Sequence, residues 1–334
     1  MVYLLVTTFL VSFILTCFLR RYALTRNIVD IPNIRSSHLI PTPRGGGLAF
    51  IIAFLIGIPF LAYLGFVVSP VNGALVSAGL FVAGLGFFDD HGHIAAHLRL
   101  LGHFGASIFV LYWLGGMPSI SLGGWVVSSG FWLNTLMVIY LVWLLNLYNF
   151  MDGIDGIAGV EALSVCLGGA GIYWLHADYA LIGLPLALAA AVGGFLWWNF
   201  PSARIFMGDV GSGFLGLILG ILSIQAAAVN PQFFWSWLIL LGVFIVDTTV
   251  TLLWRLYRGC KLFEAHRSHA YQHAVHYFGS HFGVTLRVLM INILWLLPVA
   301  ILVAMNYLSG LCGLVTAYLP LVILAVRFKA GRES

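Results

Sequence analysis

Four short stretches of this 334-residue chain carry acids, amides and imidazoles at spacings that chemistry can use. The first, LGFFDDHGHIAAHLRLLGH over 85–103, sets Asp89 beside Asp90 and follows them with His91, His93, His97 and Arg99. Adjacent acids repel unless a cation or proton sits between them, so the pair suggests a magnesium or phosphate-transfer site. A solvated pair closing a helix end is the plain alternative. The second, NLYNFMDGIDG over 146–156, spaces Asn146, Asn149, Asp152 and Asp155 at i, i+3, i+6 and i+9. On a helix these would follow one drifting face, and Gly153 and Gly156 would admit a ligand or another backbone. A calcium loop would need D-x-[DN]-x-[DN]-G, which is absent.

The third stretch, NFPSARIFMGDVGSGFLG over 199–216, puts Asp209 among Gly208, Gly211 and Ser212 where an apolar run begins. Gly211, Gly213 and Gly216 satisfy G-x-G-x-x-G. No strand precedes them, however, so a dinucleotide fingerprint is rejected. A helix N-terminus with one carboxylate suits a magnesium-bound phosphate, while Asn199 and Phe206 offer an amide and a ring to a base; a Gly-rich capped turn is the alternative. The fourth, EAHRSHAYQHAVH over 264–276, spaces His266, His269, His273 and His276 near one face of a helix. Zinc is a rival occupant there, but Arg267 within the cluster favours an anion, with imidazoles as donors or proton carriers. A fifth loop, SSHLIPTPRGGG over 36–47, joins His38 and Arg44 to three glycines and reads equally as a phosphate loop or a helix entrance.

The elements that must position these residues are dictated by composition. The chain is 61% hydrophobic and 8% charged, against roughly 25% charged residues in soluble domains. A membrane helix needs about 20 mainly apolar residues. That window gives eleven candidate spans, near 2–19, 46–68, 72–88, 101–117, 131–148, 157–176, 179–197, 212–229, 234–256, 286–306 and 309–326. The first is followed rather than preceded by Arg20 and Arg21, so an anchor is expected instead of a cleaved signal. With the N-terminus outside, all 15 Lys and Arg fall in inner segments or within about a turn of them, and the outer loops hold none. Every histidine but His176 shares that side. The expectation is an all-α polytopic membrane protein of about eleven helices, residues 1–334 forming one domain, with a periplasmic N-terminus and a cytoplasmic C-terminus. The net charge of +4 is scattered and predicts no nucleic-acid partner. Cys17, Cys166, Cys260 and Cys312 lack metal spacing and are expected to stay reduced.

Taken together, and in this order, Asp89-Asp90, NLYNFMDGIDG, NFPSARIFMGD and the HRSH loop resemble the polyprenyl-phosphate N-acetylhexosamine-1-phosphate transferase family (glycosyltransferase family 4). The HRSHAYQH and PTPRGGG segments look most like its O-antigen-initiating, WbpL-like branch. The peptidoglycan branch has consecutive histidines where this chain has HRSH. The resemblance implies that a UDP-N-acetylaminosugar and undecaprenyl phosphate give undecaprenyl-diphospho-sugar and UMP with Mg2+, or Mn2+ in its place. The setting would be the bacterial inner membrane and the pathway O-antigen lipopolysaccharide or related surface-polysaccharide synthesis. By carry-over Asp209 is the metal ligand, and Asp89 and Asp90 are the acidic pair near the lipid phosphate. Asn146, Asn149, Asp152 and Asp155 line the nucleotide cleft, with Asn199 and Phe206 around uracil. His266, Arg267 and His269 contact the donor diphosphate or sugar. His38 stands where relatives carry a basic phosphate ligand, and Arg99 where many have Lys. A homodimer face and a lipid-facing surface have the same composition, so both are compatible with these sequences. The rival class is a transporter or flippase, which would place ionisable residues near mid-membrane; Asp247 is the mid-span candidate.

Overall fold

A computed structural model describes residues 1–32, 40–67, 69–92, 94–122, 125–260 and 266–332. His38 and His93 lie outside the described residues. In lipid no water satisfies a backbone amide, so long apolar runs close their hydrogen bonds internally as helices. They are α1 (Val2–Thr25), α2 (Gly47–Tyr63), α3 (Ser69–Gly92), α4 (Ala96–Leu114), α5 (Phe131–Met151), α6 (Ile157–Leu175), α7 (Gly183–Asn199), α8 (Asp209–Val229), α9 (Pro231–Leu240), α10 (Gly242–Tyr257), α11 (Ala270–Phe278), α12 (His281–Ile291), α13 (Leu297–Ala304) and α14 (Gly310–Arg327). Two small antiparallel pairs complete the chain. Strands β1 (Val29–Asp30) and β2 (Thr42–Pro43) pair Val29 with Pro43, and β3 (Ile120–Leu122) and β4 (Trp125–Val127) pair Leu122 with Trp125.

Among the described residues eight helices are long and apolar enough to cross a membrane, and α9 with α10, bent by 68°, makes a ninth. The protein is therefore a multi-pass membrane protein. Each of the eleven apolar stretches falls on helix, although α2 is only 17 residues long and α4 opens on polar His97, Arg99 and His103. Two boundaries differ in ways that matter. The third stretch runs on to Gly92, so Asp89 and Asp90 belong to the last turns of α3. The ninth breaks at Leu241, which turns α10 towards the functional end of the bundle.

Helix α8 is the axis of the fold. It packs against α2, α3, α5 and α9, and every residue from Val210 to Ile224 is buried. A helix enclosed on all sides is apolar on all sides. The rejected G-x-G-x-x-G pattern has a packing purpose here. A side chain at Gly216 would enter the Leu144 carbonyl of α5, and one at Gly211 would enter Met207 and the Gly47 backbone of α2. Residues 43–47 clasp the chain just before α8. Phe206 N–H donates to Pro43 O at 2.8 Å, and Gly46 and Gly47 N–H donate to Phe206 O and Met207 O, both at 2.9 Å. Of the two readings of this loop, phosphate loop or helix entrance, the second is the one these bonds serve: the Gly46 and Gly47 amides are spent on the protein's own backbone.

Farther along the bundle a second polar knot ties α6 to the π-helical turn Asn292–Leu296 between α12 and α13. Asn292 donates to Glu161 Oε2 at 2.6 Å and to Ser164 Oγ at 2.8 Å, with Glu161 wholly buried. A buried carboxyl is tolerated in such a place only when hydrogen-bonded.

Candidate active site

The ends of α3, α4, α5, α8 and α10 meet at one end of the bundle. Asp89 and Asp90 are neighbours on α3, and about 100° of helical rotation separates them. They consequently face different partners. Asp90 turns to α8: its Oδ1 accepts from the Asp209 N–H and its Oδ2 from the Val210 N–H, each at 3.2 Å. This satisfies donors that the first turn of a helix leaves open. The approach is possible because Gly208, at φ +78°, has no side chain to strike the Asp90 carboxylate. Arg44 donates to the Asp90 carbonyl oxygen. The predicted acidic pair is thus divided, with Asp90 serving as the cap of α8.

Asp89 turns the other way, to the start of α4. Its Oδ1 accepts from Ile94 N–H at 2.8 Å, and its Oδ2 is paired with Arg99. The same guanidinium nitrogen reaches Asp209 Oδ2 at 3.1 Å. One cation therefore bridges the acids that end α3 and begin α8. Asn149, on α5, donates to Ser212 Oγ at 3.3 Å on the flank of Asp209. Among the described residues no three or more His, Cys, Asp or Glu side chains converge as a metal cage. Magnesium seldom uses one; it is held by one or two carboxylates together with substrate phosphates and water. The hard oxygens of Asp209, Asp89 and Asn149 fit that donor set.

The expected helical face of Asn146, Asn149, Asp152 and Asp155 stops half-way, because α5 ends at Met151. Asn146 reaches back to His103 Nδ1 at 3.4 Å and to its own helix. Asp152, just past the helix, is raised well above the ordinary carboxyl range by burial and then by the negative charges of Asp209, Asp90 and Asp155. Asp155 faces elsewhere: its Oδ2 accepts from Ala203 N–H at 3.0 Å and its Oδ1 lies 3.2 Å from His281 Nδ1. Gly153 gives its space to Tyr271, whose hydroxyl donates to Phe150 O at 3.0 Å.

The histidines also part company. Helix α11 begins only at Ala270, so His266 and His269 precede it while His273 and His276 lie on it. His273 Nε2 sits 3.0 Å from Arg332 O, away from the cleft. His266 and His269 stack at 5.0 Å between ring centroids. Burial, then the neighbouring His269 and Arg255, lowers His266 to about 4, so it is an uncharged imidazole at neutral pH. Asp247 of α10 fixes this arm. Its Oδ1 accepts from Ala270 N–H at 2.9 Å and contacts His269 Nδ1 at 3.3 Å, and its Oδ2 accepts from Tyr271 N–H at 2.9 Å. Asp247, the mid-span candidate of the rival transporter reading, caps the first amides of α11.

Two cavities adjoin these groups. One, of about 480 Å³, is polar at one end, with Arg99, Asn146, Asn149, His266 and His269, and apolar along Leu100, Phe104, Ile139 and Trp143. The other, of about 450 Å³, is lined by Asp155, Phe206, Arg267, His276 and His281 among others. Asn199 enters neither: it is 2% exposed, and its amide donates to Ile205 O at 3.0 Å, bracing the turn before α8. The structure thus brings Arg99, Asn146, Asn149, His266 and His269 around one cleft, with Asp89 and Asp209 joined to it through Arg99, and Asp155, Phe206 and Arg267 around another. Sequence reasoning gave no role to the Arg99 bridge, the Asp247 cap or Tyr271. For Asp247 a signal was available, namely a lone carboxylate inside an apolar run, which must find partners.

A family model described as glycosyl transferase family 4 matches residues 72–227, which include every acid and amide of the site except those of the histidine arm. The chain is 31% identical over 245 residues to the decaprenyl-phosphate N-acetylglucosaminephosphotransferase of Mycolicibacterium smegmatis, covering 68% of this chain and 60% of that protein. It is 29% identical over 290 residues to a probable undecaprenyl-phosphate N-acetylglucosaminyl 1-phosphate transferase of Bacillus subtilis, covering 83% and 77%. It is 31% identical over 239 residues to the phospho-N-acetylmuramoyl-pentapeptide-transferase of Thermosynechococcus vestitus, covering 65% and 59%. The chain thus spans about 60% of the length of the mycobacterial relatives.

Proposed function

The chain belongs to glycosyl transferase family 4, and from that premise we propose that it moves an N-acetylaminosugar 1-phosphate from a UDP-sugar to undecaprenyl phosphate. The observation that carries this reading is the cleft of about 480 Å³ whose polar end holds Arg99, Asn149 and two histidines and whose remainder is apolar. An amphiphile with a phosphate head and a prenyl tail matches both ends. The polar cavity beside it, with Asp155, Phe206 and Arg267, suits a nucleotide base and its phosphates.

In the reaction proposed, an oxygen of the lipid phosphate forms a bond to the donor's β-phosphorus. The bond from that phosphorus to the α–β bridging oxygen breaks, and its electron pair leaves on UMP. A phosphate monoester has its second pKa at about 6, so the acceptor is mostly dianionic at neutral pH. Asp89 then orients it or takes a residual proton. Arg99 and Arg267 offset repulsion between the two anionic reactants. His266, an uncharged imidazole at neutral pH, contributes a hydrogen bond rather than a fixed charge. Magnesium, held by Asp209 with Asp89 and Asn149 beside it, would neutralise phosphate charge as it does in other phosphoryl transfers. We place the reaction on the cytoplasmic face of a bacterial inner membrane, with eleven crossings and the N-terminus outside, because Lys and Arg collect on that side. The pathway assigned is O-antigen initiation of the WbpL-like kind.

The test is UMP release by purified protein with undecaprenyl phosphate, magnesium and a panel of UDP-N-acetylaminosugars. Donor-dependent release with a matching lipid product supports the reading and names the sugar. No release with any donor, from a folded preparation with verified acceptor, overturns it.

A further inference from the structure

A second groove lies on the opposite flank of α10 from the catalytic cleft. It has a volume of about 740 Å³ and runs between α10, α11, α12 and α14. Val243, Val246, Ala274, Val288, Ile291 and Leu321 form its apolar wall. At its mouth stand three cations from two helices and the turn that follows: Arg287, Arg327 and Lys329. The Arg287 guanidinium lies 3.9 Å from the centroid of the Phe278 ring, and Tyr277, Phe278 and Phe328 form a ring cluster there. None of the three cations has a carboxylate partner among the described residues. Asp247, the one acid among the described residues that line the groove, has both oxygens engaged by α11 and His269.

Such a surface specifies its occupant. Among the described residues no carboxylate pairs with these three cations, which calls for an anion, and the apolar wall calls for a hydrocarbon chain on the same molecule. From Arg327 down to Leu321 is six residues of helix, or about 9 Å. The head would sit level with the cations while the tail enters the hydrocarbon layer, whose half-thickness is about 15 Å. Aromatic rings at the rim are the usual residents of that boundary. We propose that this groove binds one anionic phospholipid of the surrounding bilayer, and that the lipid braces the junction of α10, α11 and α14 on which Asp247 and the His266–His269 arm depend. The site is separate from the transfer cleft, so lipid binding is read out independently of the transfer activity proposed above.

The experiment is native mass spectrometry of the full chain after exchange into phosphatidylglycerol or phosphatidylcholine of equal chain length, with thermal unfolding followed in parallel. Wild type is expected to retain one phosphatidylglycerol per chain through delipidation and to unfold at higher temperature with it than with phosphatidylcholine. Each basic residue at an anionic surface contributes roughly a factor of five in affinity, so Arg287→Gln/Arg327→Gln/Lys329→Gln should weaken retention on the order of 100-fold. The charge-preserving set Arg287→Lys/Arg327→Lys/Lys329→Arg should keep it, which separates lost charge from lost fold. Arg20→Gln/Arg21→Gln/Arg26→Gln, on the far side of the bundle, should also keep it. Equal retention of phosphatidylcholine, or unchanged retention in the Gln set, overturns the proposal. Displacement of the bound lipid by stoichiometric undecaprenyl phosphate also overturns it, because the groove would then belong to the substrate tail.

Discussion

Asp247, inside α10, and Asp209, at the start of α8, are carboxylates that each touch a residue lining the same cleft, His269 and Arg99, yet they are held in opposite ways. Asp247 is 6% exposed and accepts from two backbone amides at 2.9 Å, from Thr251 at 3.1 Å and from His269. Its oxygens are used up, and the product is a fixed geometry for α11 and the histidine arm. Asp209 has a side chain 36% exposed, shares the single Arg99 cation with Asp89, and has Asp90 and Asp152 close by. Among the described residues the acids gathered there, Asp89, Asp90, Asp152 and Asp209, outnumber the arginines that meet them, Arg99 and Arg44. A saturated acid builds structure, whereas an unsaturated one in a crowd of acids waits for a cation or a phosphate-bound metal.

Four substitutions would break or sharpen that contrast. Replacing Asp247 with Ala strands two α11 amides and a buried imidazole, and breaking a buried charged network costs about 3–5 kcal/mol. The expected result is a marked fall in unfolding temperature in detergent, with transfer lost alongside. Asp209→Asn should do the reverse. Removing a site electrostatic group typically costs 10²–10³ in rate, about 2.7–4 kcal/mol, while relief of repulsion leaves the unfolding temperature unchanged or raised. If Asp209→Asn destabilised the fold as Asp247→Ala does, the contrast would collapse. Asp90→Ala tests the intermediate case. As the α8 cap it should lose about 0.5–2 kcal/mol of stability, and its rate loss should track the displacement of Asp209 and be smaller than that of Asp89→Asn.

The smallest effect expected is a slope in pH. The unfolded chain protonates His266 near 6.5, whereas the folded chain resists until about 4. Between those values the unfolded state binds the extra proton, so stability falls as pH drops from about 6.5 to about 4. His266→Gln should flatten that part of the stability profile and leave the remainder alone. Denaturant midpoints across the range would show it.

Some of this is legible in the sequence. Asp209 stands out in the chain because a Gly-rich turn and a long apolar run leave it at a helix start, which is where it is. The division of Asp89 from Asp90 was not legible. Adjacent letters do not say that one faces Arg99 of α4 and the other a helix arriving 120 residues later, as the Asp90–Val210 contact does. The even spacing from Asn146 to Asp155 was misleading, since periodicity assumes a helix that in fact stops at Met151. The regular histidine spacing failed for the same reason: α11 starts four residues too late to carry His266. Asn199 resembled a base ligand by type, but only the closed turn to Ile205 reveals its amide as already taken.

The amino-acid sequence by itself determined that this chain is a bundle of apolar helices with its charged chemistry gathered in a few polar stretches. Backbone groups in lipid have no partner but their own helix, and charges are expelled from the hydrocarbon. Both are local consequences of composition. Tertiary structure decided which acid is a cap and which is a ligand. That depends on how many donors other helices bring to each oxygen, and those donors are chosen by packing around α8 and by the bend at Leu241, not by neighbours in the chain.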